Sequence, residues 1–307
     1  MSLPQTLPRP LAGVQSATAL VPPRYPSLGA LAPSALGASL VEPPATLAVS
    51  WWLGGNPHVL PGDGRRTYYV PAGASPLDAL AGDLVELLAQ PAPKRSGVVL
   101  CGATFGGEGT DGASSPEAQG APRTDRSARS WDVLVLDADG FPGGLTLDGA
   151  AEAFAARGLG ALLYPSPSHV GPAGSAVRWR GLVHVVGWTP LVGRVVGHAQ
   201  NGGVLARLLC SVVGPLDAST QHPGGCCYVH PVEAPRAAGD LRHVPGRALD
   251  LGALATWALA QGLGGGRGAP LDTYDPAAVA TLLARRGLGA RTGGGVYEAP
   301  CPLAHEH

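Results

Sequence analysis

Between Trp131 and Pro231 the chain lays down six apolar segments in an order that few folds accept. WDVLVLDAD reads as a strand and LDGAAEAFAARG as a short helix ended by Gly158. LGALLYP and VRWRGLVHVVG read as two strands joined through the VGPAGSA turn. GGVLARLLCSVVG is a second helix and GCCYVHP a last strand. Two strands joined by a turn become antiparallel neighbours, and each helix must cross back over the sheet to bury its apolar stripe. The alternation that would build a doubly wound parallel sheet is missing.

The order β-α-β-β-α-β therefore predicts an α+β fold, the split βαββαβ unit of ferredoxin-like and RNA-recognition-motif-like (RRM-like) domains, with helices on one face of an antiparallel sheet. Upstream, RRTYYVP reads as a strand, SPLDALAGDLVELLAQ as a helix and SGVVLCG as a strand. The helix has Ser75 as N-cap, Pro76 at its first position and Asp78 at the capping-box spacing, with Leu77, Leu80, Leu84, Leu87 and Leu88 on one face. The division expected is a Pro/Ala-rich arm over 1–46, extended or disordered, then a core over 47–250 with an N-terminal unit at 47–130 and the RRM-like unit at 131–232. C-terminal helices and a tail follow over 251–307, including a helix near Pro276 to Arg286 capped by Asp275. The segment from Thr104 to Ser130 reads as a long polar loop.

At 307 residues and 45% hydrophobic composition the chain can bury a substantial core, and no apolar run approaches the length of a membrane span. No secretory signal is legible, and five cysteines without framework spacing suit a reducing compartment, so a cytoplasmic protein is expected, with no membrane partner. Lys94 is the only lysine. A net charge of −1 leaves no global footprint for nucleic acid, so any such contact has to come from local arginines.

The chemistry concentrates where VLVLDADG ends its strand. Residues i and i+2 of a strand project to one face, so Asp137 and Asp139 point together. Two carboxylates this close repel unless a cation lies between them, and Mg2+ or Mn2+ takes oxygen ligands. An Asp-Gly turn closing a buried strand accounts for the same residues without a metal. Three enzyme classes use such a pair. VLVLDADG resembles the first motif of haloacid-dehalogenase-type phosphatases, with Asp137 as nucleophile and Asp139 as acid/base. Phe141 departs from the pattern, however, and neither a lysine nor an acidic pair follows downstream. A DxD glycosyltransferase is a second class, and nothing else specifies its nucleotide-sugar site. Metal-dependent polymerases and primases are the third.

Downstream of the pair, the stretch LLYPSPSHVGPAGSAVRWRGLVHVVG resembles the archaeo-eukaryotic primase superfamily, the primase-polymerases of plasmids, phages and mobile elements. Its first motif matches Asp137 and Asp139. Its second, a small residue near a histidine, matches Ser166, Ser168 and His169. Its third, an apolar pair followed by an acid, falls at PLDAS and Asp217. An arginine expected several residues later is absent, the place falling near Gly225. The resemblance covers roughly residues 66–250 and implies an N-terminal α/β unit packed on the split unit.

The resemblance further implies that Asp137, Asp139 and Asp217 hold two Mg2+ or Mn2+ ions, that His169 donates to a triphosphate and that Ser166 and Ser168 add hydrogen bonds. Arg178 and Arg180, at i and i+2, share a strand face and suit bidentate phosphate contacts, or form a solvated edge with Trp179 as core behind them. The expectation is a DNA primase-polymerase core acting on single-stranded DNA template and primer with dNTP or NTP substrates, and a replicative helicase as partner. The alternatives are the phosphatase and a non-catalytic replication-initiation DNA-binding module on the same fold. His222, Cys226, Cys227 and His230 lie close in sequence, but adjacent cysteines point to opposite faces of a strand and no CxxC is present, so zinc is disfavoured. Arg123, Arg126 and Arg129 are read as solvated loop charges, and Trp51, Trp52, Tyr68 and Tyr69 chiefly as core.

Overall fold

Seven residues, Val133–Asp139, decide where the core lies. All but the last are buried, because this strand is covered on both faces. The computed structural model describes residues 28–53, 64–70, 74–93, 97–105, 128–197, 203–263, 291–293 and 296–298. Its strands are β1 (Leu40–Val41), β2 (Thr46–Leu53), β3 (Gly64–Tyr69), β4 (Val98–Cys101), β5 (Ala103–Phe105), β6 (Ala128–Trp131), β7 (Val133–Asp139), β8 (Ala161–Pro165), β9 (Arg178–Val186), β10 (Cys226–Tyr228), β11 (Arg242–Val244), β12 (Ala248–Asp250), β13 (Arg291–Gly293) and β14 (Val296–Glu298). Its helices are α1 (Ala32–Ser39), α2 (Pro76–Leu88), α3 (Leu147–Ala155), α4 (Pro190–Val196), α5 (Val204–Val213) and α6 (Leu251–Ala260). The protein is mixed α+β.

The main sheet runs β1-β12-β9-β8-β11, with β7 also paired to β9. β7 and β8 both lie antiparallel to β9, in the registers Val133↔His184 to Asp139↔Arg178 and Ala161↔Val183 to Pro165↔Trp179. A second sheet runs β10-β4-β2-β3. Alternation along β7 assigns its side chains to two cores. Leu134, Leu136 and Ala138 join Phe154 of α3 and Leu205 and Leu209 of α5. Val133 and Val135 join Leu47 and Val49 of β2 and the leucine face of α2. Thus α2 and the second sheet cover the face of the main sheet opposite α3 and α5.

Local signals placed several elements as the sequence predicts. The Ser75 side chain accepts from the Leu77 amide at 3.3 Å to open α2, and Leu77, Leu80, Leu84 and Leu88 are buried. Thr146 caps α3 by accepting from the Gly149 amide, and Gly158, at φ +65°, turns the chain after it.

Two expectations are corrected. The arm expected over 1–46 is helical over Ala32–Ser39 and strand over Leu40–Val41, with Leu28, Ala32, Ala35, Leu36 and Leu40 buried. α1 packs on α5 and α6, and β1 extends the main sheet by pairing with β12. The last strand of the expected βαββαβ unit also leaves its sheet. Cys226–Tyr228 pairs antiparallel with β4 of the second sheet, so β7, α3, β8, β9 and α5 take the split-unit order while its fourth strand position on β7 is not filled from there. The outer edge of β7 is met instead by single bonds, from the Val133 amide to Gly102 O at one end and from the Asp217 amide to Asp137 O at the other. The α4 helix and the strands β11 and β12 are further elements that the sequence pattern left unassigned, while α6 falls within the stretch where C-terminal helices are expected.

The arm up to residue 27, the loop over 106–127 with Arg123 and Arg126, Lys94, and the helix expected near Pro276 lie outside the described residues. Among the described residues no helix is long and apolar enough to cross a membrane.

Candidate metal centre

β7 ends with Asp137 buried and Asp139 half-buried. Alternation that buries Val133 and Val135 carries Asp137 and Asp139 onto the same face. The register with β9 sets Asp137 opposite Arg180 and Asp139 opposite Arg178. The pairs expected separately from the sequence therefore meet as two facing rows. Arg180 forms an ion pair with Asp137, both side chains being nearly buried, and its Nη1 lies 3.8 Å from Asp139 Oδ1. Arg178 Nη2 donates to Asp139 Oδ1 at 3.2 Å from a half-exposed position. Burial pulls the Arg180 guanidinium below its ordinary value, while the neighbouring Cys227 thiol and Asp217 carboxylate push it back up.

Asp217 arrives from far along the chain. After α5, Gly214 turns with φ +81°, and the Asp217 amide donates to the Asp137 carbonyl at 2.7 Å. This single backbone bond brings the third carboxylate to the strand end. Ligand oxygens of Asp137, Asp139 and Asp217 lie within 4.8 Å of one another. Asp217 also accepts from the Ser219 amide and hydroxyl, both at 2.8 Å, which fixes its rotamer. Each of its oxygens keeps a second lone pair for another partner.

The donor set fits a hard divalent cation: three carboxylates converge and no thiol or imidazole is among them. Three carboxylates and two guanidiniums leave one net negative charge, so without a cation the arginines provide the neutralisation that a metal would otherwise supply.

The absence of an arginine at Gly225 has a steric cause. A Cβ added there would sit 1.9 Å from the Thr220 carbonyl oxygen, because the loop from Asp217 folds back on itself, with the Gly225 amide donating to His222 O at 2.8 Å. No side chain fits at that closure.

The second-motif residues divide. Ser166 is buried, its amide bonded to Arg178 O at 2.9 Å and its hydroxyl 3.4 Å from that of exposed Ser168. His169 turns its ring to the Pro172 carbonyl, to which Nε2 donates at 3.3 Å, and it lines a surface pocket with Val170, Glu233 and Arg236. The three carboxylates do not line that pocket. Trp179 is core, with Nε1 donating to Leu145 O at 2.9 Å. His222, Cys227 and His230 are directed to separate partners, Ser219 O, Tyr164 and Gln90 O.

Sequence reasoning missed Arg236 and the Tyr164–Cys227 pair. Arg236 donates to the carbonyls of His169 and Gly171, holding the His169 turn from 67 positions away, and nothing in its Pro/Ala-rich surroundings marks it. Tyr164 Oη and Cys227 Sγ lie 3.3 Å apart beneath Arg180, where burial raises the phenol well above its ordinary value and the thiol to about 11. Alternation from Leu162 to Tyr164 could have placed the ring on the aspartate face.

Comparison with protein-family models, curated proteins and solved structures finds no match to this chain.

Proposed function

We propose that the chain is the core of a DNA primase-polymerase, performing metal-dependent nucleotidyl transfer on a single-stranded template. The observation that carries this reading is Asp217. Its carboxylate lies with those of Asp137 and Asp139 although 78 positions separate it from the latter, at the place that the third motif of the primase superfamily predicts.

Asp137, Asp139 and Asp217 would hold Mg2+ or Mn2+, and bound metal would supply charge neutralisation at phosphate and a lowered pKa at an attacking hydroxyl. Arg178 and Arg180 stand on the same face, and their guanidiniums suit the phosphates of a dNTP or NTP once a cation relieves them of neutralising the carboxylates. Ser168, exposed beside the aspartate end of β9, can add a hydroxyl donor. His169 would have to release Pro172 O to donate toward a triphosphate. The antiparallel setting of β7 and the lack of any lysine after it weigh against the phosphatase.

A second reading is favoured by the ion-pair rows. Asp137–Arg180 and Asp139–Arg178 satisfy one another across β7 and β9, as they would in a DNA-binding module that needs no metal. The deciding experiment is synthesis on a single-stranded DNA template, primed and unprimed, with labelled dNTPs or NTPs and Mg2+ or Mn2+. Template-dependent extension that vanishes in Asp137→Ala, Asp139→Ala supports the enzyme. Folded protein that binds DNA and makes no product supports the module, and absence of both activities overturns both readings.

A further inference from the structure

The second sheet sets two thiols against each other. β10 runs antiparallel to β4 with Cys226 opposite Cys101. The Val229 amide donates to Val98 O at 3.1 Å, which marks a hydrogen-bonded position of the ladder. Such positions alternate, so Cys227↔Leu100 is hydrogen-bonded and Cys226↔Cys101 is not. Residues opposite each other at a non-hydrogen-bonded position have Cα atoms about 4.5 Å apart with side chains close together. That is within the span of about 4.4–6.8 Å that disulfides bridge.

Both side chains pack on the same hydrophobic cluster. Cys227 faces the other way, into the second cluster and onto Tyr164, so it is not a competitor for either sulfur. Cys101 is buried and Cys226 half-buried, so one sulfur is within reach of a small oxidant and the other is sheltered beside it. All four described cysteines are thiols.

We propose that Cys101 and Cys226 are a reversible redox site that closes a cross-strand disulfide on exposure to a peroxide. The Cys226 sulfur attacks the peroxide, the O–O bond breaks, one oxygen leaves as water and the other remains as a sulfenic acid. The Cys101 sulfur then displaces that hydroxyl, which departs with the Cys101 proton as a second water while the S–S bond forms. In sum, two thiols give two electrons and two protons to one hydrogen peroxide, and a dithiol reductant returns them. In a reducing compartment the pair rests as thiols.

Closure has a consequence for the loop over 218–225. In the reduced protein the Cys101 thiol donates to the carbonyl of buried Pro223 at 3.2 Å. A disulfide has no S–H, so this bond is lost and the loop returning from Asp217 gives up an anchor.

The test treats the whole protein with hydrogen peroxide, alkylates it and maps the peptides by mass spectrometry. The expected product joins Cys101 to Cys226 with a loss of about two mass units, reverts with dithiothreitol, is absent in Cys226→Ser and persists in Cys210→Ser. Circular dichroism checks that the half-buried Cys226→Ser variant keeps its fold. A folded protein that accumulates sulfinic acid at Cys226 without the cross-link overturns the site, as does cross-linking of Cys226 to Cys227, Cys210 or Cys301. Hydrogen exchange of the 218–225 amides should quicken several-fold on oxidation, and unchanged exchange overturns the coupling to the loop. None of these readings depends on nucleotidyl transfer.

Discussion

Arg180 is the residue on which the two readings of the site divide. Replacing it by alanine leaves Asp137 nearly buried beside Asp139 and Asp217 without its own ion-pair partner, the half-exposed Arg178 on Asp139 being the cation left among the three carboxylates. Breaking such a pair costs about 3–5 kcal/mol. If the carboxylates form a metal centre, Mn2+ should restore most of that loss in Arg180→Ala, and should bind the variant more tightly than the parent because a competing cation is gone. Urea titrations with and without Mn2+ measure both, and a variant that Mn2+ does not rescue would assign the rows a purely structural role. His184 offers a separate test. It is buried, its ring nitrogens have no hydrogen-bond partner among the described residues, and desolvation lowers its pKa to about 4. Unfolded, it titrates near 6.5. Above that pH the ring is neutral in both states and adds no pH dependence. Below it only the unfolded chain gains a proton, so stability falls as the pH drops from 6.5 to 4, by about 3 kcal/mol in all. His184→Leu should flatten the stability-against-pH curve over that window, and an unchanged slope would refute the assignment.

At the scale of elements, the helix α2 and the loop that follows α5 behave differently under mutation. The 218–225 loop closes so tightly that Gly225→Ala must displace the Thr220 carbonyl, and a destabilisation above about 2 kcal/mol is expected, together with weakened Mn2+ binding through the shifted Asp217. Ser75→Ala removes only the cap of α2 and should cost about 1 kcal/mol, leaving Mn2+ affinity unchanged. Denaturant midpoints and Mn2+ titration of the two variants separate a loop that shapes the site from a helix that supports it. The cap, the leucine face of α2 and the turn after α3 were legible because each is a contact within a few positions. The destination of Cys226–Tyr228 was not. A three-residue strand pairs with whichever edge its loop delivers it to, and the loop is pulled aside by Asp217 and the Gly225 closure.

For the whole molecule, the N-terminal segment matters more than its composition suggests. A chain beginning at residue 47, the boundary read from the sequence, would lack Leu28, Leu36 and Leu40 and uncover the α5 and α6 surfaces on which α1 packs. Burial of three leucines contributes on the order of 5 kcal/mol, so the shortened chain should melt at markedly lower temperature and bind an apolar dye. A melting temperature equal to that of the full chain would show that α1 is dispensable.

By itself the sequence determined the α+β class, the burial of the VLVL strand and the common direction of Asp137 and Asp139, because alternation and helical spacing are local rules carried by consecutive residues. It also singled out Asp217, through a resemblance rather than through any local rule. Only the tertiary structure decided that Arg178 and Arg180 face those aspartates, that Asp217 reaches them through one backbone bond to β7, and that Arg236 holds the His169 turn. Each of these depends on strand register or loop path between distant segments. That choice is made by the packing of two sheets around α2 and leaves no periodic trace in the chain.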